Sequence, residues 1–123
     1  MAVAVIGAGG VGLCVLQAAY NLGAHPIIVV DLNDEKIAFA KQFGASIGIN
    51  ASREDAVARI LEITQGGADF VFDAIGLGKT TEQMLAATRP AVPCRRPRSH
   101  AVALCTRPGI RGAAAIMLPP GQP

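Results

Sequence analysis

At 123 residues the chain is long enough for one domain with a buried core and too short for two. It is 51% hydrophobic but only 4% aromatic, so Ala, Val, Ile and Leu must build that core, and no stretch reaches the ~20 uninterrupted apolar residues of a membrane span. The net charge of +2 conceals a split: residues 1–88 hold five basic and nine acidic side chains, whereas residues 89–123 hold six arginines, no acid and seven of the eight prolines.

Ala2 to Ile6 is a short apolar run ended by Gly7, a first strand. From Val11 to Leu22 the apolar residues recur at helical spacing, and Gly23 stands where a helix C-terminal glycine belongs. Ile27 to Val30 is a continuous β-branched run ending at Asp31, the pattern of a strand buried on both faces. Asn33 or Asp34 can cap the next helix, which carries Asp34 and Glu35 in its first turn and ends at Gly44. Ser46 to Ile49 reads as a third strand. Ser52 is the expected N-cap of a third helix, with Asp55 in the capping-box position. Val57, Ile60, Leu61 and Thr64 would form its inner face, and Gly66-Gly67 would break it. Asp69 to Ala74 is a fourth strand, Gly76 to Lys79 a turn, and Thr80 to Thr88 a fourth helix with Met84, Leu85 and Ala87 inward. This alternation implies a parallel sheet with right-handed crossovers, covered by helices.

The first strand-to-helix turn carries the chemistry. Gly7, Gly9 and Gly12 fall in the spacing G-x-G-x-x-G. The first glycine permits the sharp turn, the second lets backbone approach a pyrophosphate, and the third lets helix and strand pack closely. The N–H groups and positive end of the helix that follows bind phosphate. Asp31 ends the second strand 19 positions after Gly12. That is where an acid accepts hydrogen bonds from the adenosine ribose hydroxyls, and its charge repels a 2′-phosphate. No arginine is adjacent to Asp31 in the sequence. NAD is therefore expected over NADP, although flavin-binding domains use a similar turn and acid.

Residues 2–90 resemble the cofactor domain of the medium-chain dehydrogenases, specifically the zinc-containing alcohol dehydrogenases. The resemblance is carried by Val5-Ile6-Gly7-Ala8-Gly9-Gly10-Val11-Gly12 and Val30-Asp31-Leu32-Asn33-Asp34-Glu35-Lys36, followed in order by Ala40 to Ala45, Ile49-Asn50 and Asp73-Ala74-Ile75-Gly76. It implies an incomplete Rossmann fold, an α/β domain with a parallel sheet of about four strands, flanking helices and an irregular C-terminal tail. It implies NAD as cofactor, held by the turn from Gly7 and Ala8 to Gly12, with Gly9, Gly10 and Val11 toward the pyrophosphate and nicotinamide. Lys36 would lie near the adenosine ribose, and Ile75 and Gly76 would line the nicotinamide ribose. Asp73 is expected to be structural. Such enzymes oxidise an alcohol by hydride transfer to NAD beside a catalytic zinc. The zinc ligands lie in a separate domain, and neither a Gly-His-Glu triplet nor a four-cysteine zinc loop occurs in this chain. No metal ligand or catalytic residue is therefore assigned here, and the chain alone is expected to be inactive. Asp31, Lys36 and the segment from Asp73 to Gly76 argue against a flavin or short-chain reductase.

The resemblance stops near Pro90, which divides a partial NAD-binding domain (1–90) from a basic, Pro/Arg-rich tail (91–123). The abrupt change suggests a shifted reading frame of a GC-rich gene. The tail has no interleaved aromatic residues and no nucleic-acid motif, so neither nucleic acid nor membrane is expected as a partner. Cys94, His100 and Cys105 match no usual zinc spacing. Ala101 to Leu104 or Ala113 to Leu118 are candidates for an added strand. Without one, the fourth strand is an open edge that invites self-association. Three cysteines in no disulfide framework, and an N-terminus without a basic leader, suggest a cytoplasmic protein. The alternatives to a dehydrogenase part are a non-catalytic NAD-binding or interaction module, partnered by a separate catalytic subunit, and a non-functional gene fragment.

Overall fold

A computed structural model describes residues 1–75, 78–88, 94–95 and 103–106. In chain order the elements are β1 (Val3–Ile6), α1 (Gly10–Asn21), β2 (Ile27–Asp31), α2 (Asp34–Lys41), β3 (Ile47–Asn50), α3 (Ala56–Thr64), β4 (Phe70–Asp73), α4 (Gly78–Ala87), β5 (Cys94–Arg95) and β6 (Ala103–Thr106). The sheet order is β3-β2-β1-β4-β6-β5. The first four strands in that order are mutually parallel, as the alternating pattern predicts. They form the α/β Rossmann-like unit, and β6 and β5 are added antiparallel at its side.

The tail thus supplies a strand, at Ala103–Thr106, overlapping the first of the two candidate segments. Its register sets Cys105 against Val71 and Leu104 against Phe72, so β4 is not an open edge. Residues 113–118, His100 and Gly76, like the side chains of Met84 and Leu85, lie outside the described residues.

Two apolar layers hold the sheet, and the pleat sorts β1 and β2 between them. Val3, Val5, Ile27 and Val29 face α1 and α2, where Val15, Leu16, Ala19, Ile37 and Ala40 are buried. Ala2, Ala4, Ile6, Ile28 and Val30 face α3, whose Ala56 and Ile60 join Val71 and Ala87. Helices on both faces explain why Ile27 to Val30 reads as an unbroken apolar run. Burying an aliphatic side chain of this kind is worth about 1.5–3 kcal/mol, so these two layers are the main source of stability.

Helix boundaries follow local hydrogen bonding. The α2 N-cap is Asn33, whose Oδ1 accepts from the N–H of Glu35 (2.8 Å) and of Lys36 (3.3 Å). The α3 cap differs from the sequence expectation. Asp55 is the N-cap, its Oδ1 accepting from the N–H of Ala58 at 3.2 Å. Ser52 instead donates its N–H to Asn50 Oδ1 at 2.9 Å in the turn after β3. Asn50, earlier in the chain, captures Ser52 and pushes the helix start three residues on. The helix also stops before its glycines: Gln65 already has φ 54°. Helix α4 begins at Gly78, so Lys79 is helical rather than part of a turn. Leu22, at the end of the apolar stripe of α1, is a C-cap residue and lies in solvent.

Candidate functional site

The strand order places β1 between β2 and β4, and the chain leaves β1 and β3 toward opposite faces of the sheet. Crevices at the carboxyl ends of parallel strands, where the order reverses, are the ligand sites of such folds. The turn from Gly7 to Gly12 lies at that place. It is stitched to both neighbours of β1: Gly7 N–H donates to Val30 O at 2.7 Å, and Ala74 N–H donates to Ile6 O at 2.9 Å.

Each glycine has a distinct physical role. Gly7 has φ +105°, in the left-handed region, and a Cβ there would stand 2.8 Å from Ile75 Cγ1. A Cβ on Gly12 would stand 1.8 Å from the carbonyl oxygen of Gly7, so α1 can approach β1 this closely only with glycine there. Around Gly9 and Gly10 no atom lies within 4 Å of a Cβ position, so the backbone faces open space. Gly9 caps α1 without a side-chain hydrogen bond, and the first ladder bond is Leu13 N–H to Gly9 O at 2.9 Å. The N–H groups of Gly10, Val11 and Gly12 therefore find no acceptor among the described residues. Three donors at the positive end of a 12-residue helix, beside an open surface, are what an anionic ligand requires.

Asp31 closes the other side. Its Oδ2 accepts from the N–H of Ala8 at 2.9 Å, tying the end of β2 to the glycine turn. Its Oδ1 accepts from the N–H groups of Leu32 (2.7 Å) and Asn33 (3.0 Å). The carboxylate is thus oriented by three backbone donors. Lys36 is exposed on the first turn of α2. Asp73 is 1% exposed and accepts from the N–H of Ile75 and the hydroxyl of Thr80, both at 3.0 Å. It latches the end of β4 to α4, which is a positioning role.

The fold therefore brings Gly7 to Gly12, Asp31, Lys36 and Ile75 to one edge of the sheet. Two neighbours at this edge have no role in the sequence reading. Leu32 is one of them, 68% exposed immediately after β2; Ile75, which the resemblance assigns to the nicotinamide ribose, is 46% exposed two residues after β4. An apolar residue in the first position after a strand, where turns are usually polar, is the one sequence signal for Leu32. The other is Arg53, whose guanidinium pairs with Asp34. No signal near Asp31 marks it, because it arrives from beyond β3. Among the described residues no group of three His, Cys, Asp or Glu side chains could hold a metal ion. None of the described helices is long and apolar enough to cross a membrane.

Comparison with known proteins points to one family. The family model of zinc-binding dehydrogenases matches residues 10–92. The zinc-type alcohol dehydrogenase-like protein YdjJ of Escherichia coli is 44% identical over 80 residues, which is 64% of this chain and 23% of that protein. The benzyl alcohol dehydrogenase of Acinetobacter calcoaceticus superposes with a TM-score of 0.70 at 40% identity, covering 72% of this chain and 24% of that one. A protein of Sinorhizobium meliloti solved with NADP bound gives 0.69 at 28% identity, covering 72% and 27%. The chain thus spans about a quarter of the length of these relatives. With matches of this extent to the sequence and to the fold, the chain belongs to the zinc-binding dehydrogenase family.

Proposed function

We propose that residues 1–90 are an NAD-binding domain of the alcohol dehydrogenase type, with residues 91–123 a basic appendage. The observation that carries this reading is the open first turn of α1, with three N–H groups that find no acceptor among the described residues and a surface kept clear by Gly9 and Gly10. Those donors would hold the pyrophosphate. Asp31 would take a ribose hydroxyl: three backbone donors use three of the roughly four acceptor directions of a carboxylate, leaving one toward the ligand. Leu32 offers exposed apolar surface beside Asp31, suited to a flat face of the adenine ring, and Ile75, exposed after β4, would line the nicotinamide ribose. Lys36 supplies a positive charge on the ribose side, and Gly76 continues the segment from Ile75. When bound, NAD supplies the carbon that accepts a hydride. This chain's own residues bind and orient it. The names of the relatives support an alcohol as hydride donor, and no step through zinc is derived.

Calorimetric titration and thermal melts of the 123-residue chain with NAD and NADP test this. NAD at a hundred times its dissociation constant should stabilise the fold by about 2.7 kcal/mol. No response to either dinucleotide would refute the reading. Tighter binding of NADP than of NAD would refute the selecting role of Asp31.

A further inference from the structure

Asp31 is not the sole charged group at the ribose edge. In the ladder between β2 and β3 its partner is Asn50, and the N–H of Ala51 donates to Asp31 O at 3.0 Å. Asn50 Nδ2 donates to Asp34 Oδ1 at 2.8 Å, and the Arg53 guanidinium pairs with Asp34 Oδ2. The N–H of Arg53 also donates to Asn50 O at 3.1 Å. A cation 22 positions from Asp31 in sequence is therefore folded back to the carboxyl ends of β2 and β3. The hydrogen bond from Asn50 is the main cause that lowers the Asp34 pKa from its ordinary value, with desolvation opposing it and Arg53 adding to it.

We propose that Asp34 and Arg53 form a second selectivity element of this site, in which Asp34 holds the Arg53 guanidinium away from a 2′-phosphate. The inference rests on the dinucleotide-binding reading above. With the pair closed, a 2′-phosphate entering beside Asp31 meets two carboxylates and a cation already neutralised. With Asp34 removed, one repulsive charge is gone and the guanidinium is free to make charge-assisted hydrogen bonds to the phosphate. The pair is accessible to such a switch. Its side chains are 70% (Arg53) and 52% (Asp34) exposed. Exposed pairs of this kind are weak, so the bias that the pair adds against a 2′-phosphate is modest and is read as a change of a few fold in affinity.

The test measures dissociation constants of NAD and NADP by calorimetry for the unaltered 123-residue chain, Asp34→Ala, Arg53→Ala and the double variant. Circular dichroism of each confirms that it is folded, and Asp34→Asn serves as an isosteric second variant. Asp34→Ala should tighten NADP about threefold to tenfold, the scale of one exposed ion pair plus one like-charge contact, and leave NAD within about twofold. The gain should vanish in the double variant. Unchanged NADP affinity, equal tightening of both dinucleotides, or a gain that survives loss of Arg53 would each overturn the inference while leaving the NAD site standing. Failure of every folded variant to bind either dinucleotide would overturn both.

Discussion

Gly12 shows at the residue scale how one missing Cβ fixes the site. Its Cβ position lies 1.8 Å from the carbonyl oxygen of Gly7, a backbone atom that cannot rotate away. Gly12→Ala must therefore push α1 off β1. Overpacking of this kind costs typically about 1–3 kcal/mol. Urea denaturation should show a loss at the upper end of that range, and NAD should no longer stabilise the variant, because the N–H groups of the first turn shift with the helix. Gly10→Ala, with open space at its Cβ position, should lose little stability in the same measurement. A loss for Gly10→Ala as large as for Gly12→Ala would show that the close approach of Gly12 to the Gly7 carbonyl is not what sets the cost. The spacing of the glycines was legible in the sequence. The different reasons for them became visible only when the carbonyl of Gly7 and the side chain of Ile75 were brought against the turn.

At the scale of the element, caps decide where helices begin, and at α3 the sequence misled. Both Ser52 and Asp55 are good N-cap residues, and the capping-box spacing favoured Ser52. In the fold Asn50 binds Ser52, and Asp55 takes the cap. Asp55→Ala and Asn33→Ala should each cost about 1 kcal/mol, as loss of a capping oxygen does, whereas Ser52→Ala should cost at most about half of that. Thermal denaturation of the three variants checks the order. A larger loss for Ser52→Ala than for Asp55→Ala would restore the earlier helix start. For α2 the sequence left Asn33 and Asp34 as alternatives, and the fold separates their work. Asn33 caps the helix, while Asp34 is turned toward Asn50 and Arg53.

At the scale of the whole molecule, the parallel unit is closed on one side by the tail. Strand β6 runs antiparallel along β4 from Phe70↔Thr106 to Asp73↔Ala103. Shortening the chain to residues 1–88 would leave the backbone groups of β4 that face β6 unpaired, and an open edge of that kind recruits another chain. Sedimentation should show concentration-dependent association of the shortened chain at concentrations where the full chain remains at its own mass. An unchanged sedimentation profile would mean that β6 does not protect this edge in solution. Asp73 and Thr80 remain in the shortened chain, so any accompanying loss of NAD stabilisation reports on the sheet edge rather than on the β4-to-α4 latch.

The sequence by itself determined the alternation of strands and helices, the glycine turn, the acid at the end of β2 and the family resemblance. All of these depend on local pattern: apolar period, turn residues and short spacings. The tertiary structure decided what depends on distance through space. It set β1 between β2 and β4, laid β6 of the tail along β4, and left Leu32 and Ile75 exposed at one edge. It also returned Arg53, paired with Asp34, to the carboxyl ends of β2 and β3, where Asp31 faces Asn50 in the ladder. The physical reason is the parallel ladder. Strands β2 and β3 are joined by a helix, so the residues after their carboxyl ends lie about twenty positions apart in the chain and side by side in the sheet.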